Sequence, residues 1–200
     1  MPRPPITMIE GDMGCGKTVT MTAIIADAYL SSNKQLKVFA NFHLYGIKYV
    51  LADVAKIMEY LNTGLVENAI VAIDEGYLDT ESRRSMSLMN ILFTWFLQQA
   101  RKRHIDLYVL TQDQRFIDWR FRKIMRVKIF CERYDELTKM VHLTITDNDR
   151  KTERKLSYYA PQYWKYYDTN EIPHIPEPII ERALAKVRGK ITVKEKVGVS

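Results

Sequence analysis

The stretch ITMIEGDMGCGKTVT, residues 6–20, decides how the rest of the chain is read. Ile6 to Glu10 is a short apolar run with the profile of a buried strand. It opens into a glycine loop, and Lys17 to Leu30 follows with an apolar helical face through Met21, Ile24, Ile25 and Ala28. Gly11-x4-Gly16-Lys17-Thr18 is a complete Walker A pattern, and strand, loop and helix supply its required context. Each residue type has a task. The backbone of Gly11, Asp12, Met13, Gly14, Cys15 and Gly16 can wrap so that its N–H groups face phosphate oxygens, at the positive end of the helix. Lys17 supplies a point charge to the β- and γ-phosphates of a bound triphosphate, ATP or a relative. The Thr18 hydroxyl suits Mg2+. Asp12, Met13 and Cys15 are expected to act through backbone and loop shape alone.

Working outward, Leu36 to Phe42 reads as a second strand and Leu51 to Leu61 as a helix entered near Asp53. Ala69 to Ile73 is continuously apolar, as in a central parallel strand covered on both faces, and it ends in Asp74-Glu75. An acidic pair there is the Walker B pattern, with Asp74 on the metal and Glu75 orienting or deprotonating a water molecule. That second acid fits hydrolysis better than kinase chemistry, in which water must be kept out. A long apolar helix is expected over Ser85 to Lys102, then a strand, Asp106 to Leu110, ending in Thr111-Gln112. The Gln112 amide would stand at the carboxyl edge of the sheet, where ligands of open α/β folds bind, and could sense the γ-phosphate. Arg115 to Lys123 is compatible with a short helix. Val127 to Glu132 and Met140 to Thr146 alternate like strands, with a turn at Asp147-Asn148-Asp149 and a partner at Leu156 to Ala160. The expected fold is α/β: a three-layer P-loop NTPase with a mostly parallel central sheet. Residues 1–170 would form the ATPase domain. Residues 171–200, with Pro173, Pro176 and Pro178, would form a linker and a tail helix.

Composition narrows the partners. The 200 residues carry a formal net charge of +6, and it is uneven. Residues 1–100 hold eight Lys/Arg against ten Asp/Glu, whereas residues 101–200 hold 22 against 14. A basic half points to a polyanion, nucleic acid before membrane, or to a solvated basic surface. No run approaches the ~20 apolar residues of a membrane helix, and Met-Pro-Arg-Pro-Pro lacks a signal-peptide core. The two cysteines have no metal spacing, a structural disulfide is not expected, and a cytoplasmic setting is. Tyr158, Tyr159, Tyr163, Trp164, Tyr166 and Tyr167 could stack on bases, but packing over the sheet explains them more simply. His104 has no second ligand at useful spacing.

The order Walker A, Asn41 after the second strand, Asp74-Glu75, then Arg103-His104 before a strand ending in Thr111-Gln112 resembles the FtsK–HerA superfamily. The similarity, over about Ile6 to Glu132, is greatest to its compact viral branch: zonula-occludens-toxin-like phage assembly ATPases and viral genome-packaging ATPases. The resemblance implies Lys17 and Thr18 on nucleotide and metal, Asp74 on magnesium, Glu75 as catalytic acid/base and Gln112 as sensor. It implies a homo-oligomeric ring, commonly a hexamer, that moves double-stranded DNA, with an arginine acting in trans. Arg103 is the first candidate, Arg101 the second, and Arg83 and Arg84 the third; any of these could be a surface or DNA-contacting cation instead. The tail would dock on a capsid or membrane assembly protein. A nucleoside or nucleotide kinase and a nucleotide-switched morphogenesis factor are the competing readings.

Overall fold

The computed structural model of the chain describes residues 6–64, 66–74, 90–92, 94, 95, 101–112 and 125–168. Glu75, most of the expected helix over Ser85–Lys102, the segment Arg115–Lys123 and the tail 171–200 lie outside these residues. The parts of that helix that are described, 90–92, 94, 95 and Arg101–Arg103, are helical.

Eight strands form one sheet: β1 (Ile6–Glu10), β2 (Lys37–Ala40), β3 (Val50–Leu51), β4 (Ala69–Asp74), β5 (Ile105–Thr111), β6 (Val127–Asp135), β7 (Met140–Asp147) and β8 (Thr152–Tyr159). Their spatial order is β3-β2-β4-β5-β1-β6-β7-β8. Every pairing from β3 to β6 is parallel, and β6-β7 and β7-β8 are antiparallel. The sheet is mostly parallel, as the alternation of strand and helix signals requires.

Helix α1 (Lys17–Ser31) lies on one face and α2 (Val54–Asn62) on the other. β4 shows why both faces are covered. Ala69, Val71 and Ile73 join the core that contains Ile57 and Leu61 of α2, whereas Ile70 and Ala72 join the core that contains Met21 and Ile25 of α1. Successive strand side chains point to opposite faces, so a run apolar at every position needs two cores. The result is three layers.

Several boundaries differ from those read in the sequence; β6, for one, runs to Asp135 rather than Glu132. The second strand is shorter, Lys37–Ala40 rather than Leu36 to Phe42. The segment assigned to the start of a helix at Leu51 splits in two. Val50 and Leu51 pair with Phe39 and Ala40 as an exposed edge strand, and α2 begins at Val54, where the Asp53 carboxylate accepts from the Lys56 N–H at 2.7 Å. The last strand begins four residues earlier than Leu156, at Thr152.

The antiparallel wing, β6 to β8, is built on two matching turns. Asp135 Oδ1 accepts from the N–H groups of Leu137 and Thr138, and Asp147 Oδ1 accepts from those of Asp149 and Arg150. Each turn ends in a lysine in the left-handed region, Lys139 at φ 59 and Lys151 at φ 52. After β8 a 3-10 helix, Ala160–Tyr166, folds back onto α1. The aromatic cluster packs there. Tyr158 donates to or accepts from Thr20 at 2.9 Å, Tyr163 donates to Asp27 at 2.9 Å, and the Tyr158 and Tyr163 rings meet edge to face at 5.7 Å. Tyr159 and Trp164 stay exposed. Among the described residues no helix is long and apolar enough to cross a membrane.

Candidate phosphate and metal site

The loop between β1 and α1 takes its shape from glycines where other residues would not fit. Gly11 has φ 147, and a Cβ there would stand 2.5 Å from the Cys131 carbonyl oxygen. Gly16 has φ 97, and a Cβ would stand 2.8 Å from Val141 Cγ2. Gly16 is the residue that enters α1, no side chain caps the helix there, and its first turn holds no acid. The N-terminal N–H groups and the positive end of the helix dipole therefore face the loop, as an anion site requires. Asp12, Met13 and Gly14 form the exposed rim, whereas Lys17 is buried and its ammonium donates to the Asp12 carbonyl at 2.6 Å.

Thr18 and Asp74, 56 residues apart in sequence, meet across the mouth of the loop. Thr18 Oγ1 donates to Asp74 Oδ2 at 3.5 Å, and Asp74 is buried at the last position of β4. A hydroxyl and a carboxylate at this separation fit Mg2+, which takes one or two protein oxygens and completes its shell with phosphate and water. Among the described residues there is no cluster of three or more acidic, His or Cys side chains that would suit a metal held by protein alone.

Asn41 fixes the backbone beneath Asp74. β2 leaves the sheet after Ala40, and the Asn41 side chain continues the ladder in its place. Its Oδ1 accepts from the Asp74 N–H at 2.7 Å, and its Nδ2 donates to the Asp74 carbonyl at 2.9 Å. In the sequence Asn41 was only a landmark of motif order. Its signal was a carboxamide directly after an apolar strand, but its target could not be read without the sheet order.

β5 lies between β4 and β1, with Leu110 beside Asp74 and Thr111 beside Glu10. Gln112, exposed and next after Thr111, therefore emerges at the carboxyl edge between the Asp74 strand and the loop strand. Glu75 follows Asp74 in the chain and lies outside the described residues, as do Arg83 and Arg84. Arg103 stands elsewhere. It precedes β5 at the amino edge, donates to the Leu61 carbonyl at 2.8 Å and covers the Trp95 ring at 5.4 Å. The structure thus keeps Arg103 away from its own loop; Arg101 is described only as helical backbone of the same turn.

Both cysteines converge behind the loop. Cys15 and Cys131 are free and buried, and their side chains come together beside Gly11. Interaction with the Cys131 thiol, aided by the Lys17 ammonium and opposed by burial, holds Cys15 below the ordinary thiol value. The same interaction, reinforced by burial, pushes Cys131 up. The sequence carried no local signal for this pair, because β6 lies beside β1 only through a crossover.

Similar architecture occurs in solved structures. The N-terminal domain of zonular occludens toxin from Neisseria meningitidis superposes with a TM-score of 0.57 at 20% identity, over 84% of this chain and 100% of that one. The genome packaging NTPase B204 of Sulfolobus turreted icosahedral virus 2, in complex with ATP-gammaS, gives 0.52 at 13% identity, over 78% and 98%. This is a P-loop NTPase fold. The KaiC-like protein PH0186 of Pyrococcus horikoshii shares it at 0.54 and 13% identity, over 78% of this chain and 86% of that one. No family model matches the chain, and no curated protein does. The resemblance read from motif order, to toxin-like and genome-packaging ATPases, holds at the level of fold.

Proposed function

We propose that this chain is a magnesium-dependent ATPase that acts as a homo-oligomeric ring and moves double-stranded DNA in viral genome packaging or virion assembly. The observation that carries the ATPase part is the 3.5 Å approach of Thr18 to Asp74 at the mouth of a glycine loop that also holds buried Lys17. In this reading the loop N–H groups and Lys17 hold the phosphates, and Thr18 and Asp74 hold magnesium, which neutralises charge on the β- and γ-oxygens when bound. Glu75 activates water, and Gln112, placed between the two motif strands, senses the γ-phosphate. An arginine from a neighbouring subunit, Arg103 or Arg101, completes the site. The basic half of the chain supports a nucleic-acid cargo, and the fold shared with a genome packaging NTPase supports this setting. Residues 171–200 then serve as the arm that docks on a capsid or membrane assembly protein.

The test is ATP turnover by the full chain with and without double-stranded DNA, with oligomeric state measured in parallel. Turnover should rise severalfold on DNA as a ring forms. Turnover indifferent to DNA in a preparation shown to be oligomeric would refute the motor. Phosphate transfer to a nucleoside monophosphate in preference to water would replace it with a kinase.

A further inference from the structure

The only two cysteines of the chain meet behind the phosphate loop. Cys15 sits in the loop between Gly14 and Gly16, and Cys131 sits mid-strand on β6, hydrogen-bonded to Thr20 at 3.6 Å. Gly11 makes the room in which they meet. A point where its Cβ would stand lies 2.7 Å from Cys15 Sγ and 3.3 Å from Cys131 Cβ, so any larger residue would separate the two groups. The pair is also asymmetric in position. Cys15 is carried by the glycine loop, close to the Lys17 ammonium, whereas Cys131 lies on β6, one residue past the end of its pairing with β1 and paired with Leu143 of β7.

We propose that Cys15 and Cys131 form a peroxide-sensitive dithiol whose closure to a disulfide withdraws the loop from nucleotide binding. The chemistry balances with hydrogen peroxide as the oxidant. The Cys15 thiolate attacks one peroxide oxygen, the O–O bond breaks, and hydroxide leaves to be protonated to water, giving a sulfenic acid on Cys15. The Cys131 sulfur then attacks the Cys15 sulfur, the S–O bond breaks, and a second water leaves with the Cys131 proton. Two thiols are oxidised to one disulfide, and one peroxide is reduced to two waters. A disulfide holds its sulfurs about 2.05 Å apart, far closer than two thiols in van der Waals contact, so the loop must move toward β6. Loop N–H groups aimed at phosphate lose their convergence under such a shift. The nucleotide consequence rests on the function proposed above; the oxidation itself does not.

The experiment treats the full-length protein with a several-fold molar excess of hydrogen peroxide, enough to carry a lone thiol past the sulfenic acid, maps its peptides by mass spectrometry and measures binding of a fluorescent ATP analogue. Wild type should lose two hydrogens, yield a Cys15–Cys131 cross-linked peptide and bind nucleotide at least tenfold more weakly, all reversed by dithiothreitol. Cys131→Ser, compared with its own reduced form, should yield no cross-link and oxidise at Cys15 to a sulfinic acid that dithiothreitol does not reverse. If Cys131→Ser fails to fold, Cys131→Ala takes its place, and the wild-type result decides alone. Wild type ending as a Cys15 sulfinic acid without cross-link would overturn the proposal, as would cross-linked protein that binds nucleotide undiminished. Reduced protein that binds no nucleotide would refute the functional reading, while the cross-link would still decide the oxidation site.

Discussion

Replacing Asn41 with Ala removes two hydrogen bonds at once, both to the backbone of the residue assigned to magnesium. They measure 2.7 and 2.9 Å and hold Asp74 N–H and C=O where β2 no longer can. At about 0.5–1.5 kcal/mol for each net bond, the loss is about 1–3 kcal/mol. That corresponds to roughly 5- to 150-fold in an equilibrium constant. Part of it falls on global stability and part on the placement of the carboxylate, and partners that orient a metal ligand are worth roughly 10–100-fold in metal affinity. ATP turnover followed against free Mg2+ should show a half-saturation raised about tenfold or more, with much of the maximal rate recovered at high magnesium. Asn41→Asp should not rescue it, because the carboxylate can accept from the Asp74 N–H but presents a second acceptor to the Asp74 carbonyl. The reasoning fails if Asn41→Ala lowers the melting temperature while leaving the magnesium dependence unchanged. Asn41 would then be a strand end and nothing more.

Three further outcomes follow from contacts already described. Gly16→Ala should reduce nucleotide affinity at least a hundredfold, since it brings both a 2.8 Å clash with Val141 and a side chain at φ 97. Adding Val141→Ala should restore it only in part; full recovery would show that the clash alone matters. Arg103→Ala should cost about 2 kcal/mol of stability through its bond to the Leu61 carbonyl and its place over Trp95. If its loss of turnover disappears on cooling to where the variant is fully folded, a trans-acting role for Arg103 is excluded. Iodoacetamide labelling of Cys15, located by peptide mapping, should change little between pH 7.5 and 9, because its thiolate already forms below the ordinary thiol pKa. A thiol of ordinary pKa would speed up roughly eightfold over that interval, and the same slope at Cys15 would refute the lowered value.

The parts of the fold legible in the sequence are those where chemistry or burial constrains every position. Gly11 to Thr18 admits few substitutes, Ala69 to Ile73 is apolar throughout because two cores claim it, and Asp53 announces α2 by its cap. Val50–Leu51 left no pattern, being two exposed residues at a sheet edge. The start of β8 was hidden for a related reason. Thr152 to Lys155 are exposed and polar on both faces, so nothing in their alternation marks a strand until it is paired with β7. At the site, Thr18 and Asp74 could be named from their motifs, but Asn41, Cys131 and Val141 act through strand order. That order brings β2 to β4, and β6 to β1, and no local pattern encodes it.

The back wall of the phosphate loop consists of Cys131 and Val141, and both belong to the antiparallel wing. That wing has the shortest loops in the sheet, and its two aspartate turns give it contacts between near neighbours in sequence, which form fast. The parallel strands β1, β4 and β5 must wait for long crossovers to close. The loop therefore has no wall to shape it until a locally formed meander has docked beside the last parallel strand. In the function proposed above, nucleotide capture reports on that docking. Damage far out on β7 or β8 will be felt as weaker ligand affinity, and ligand in turn will hold the wing in place.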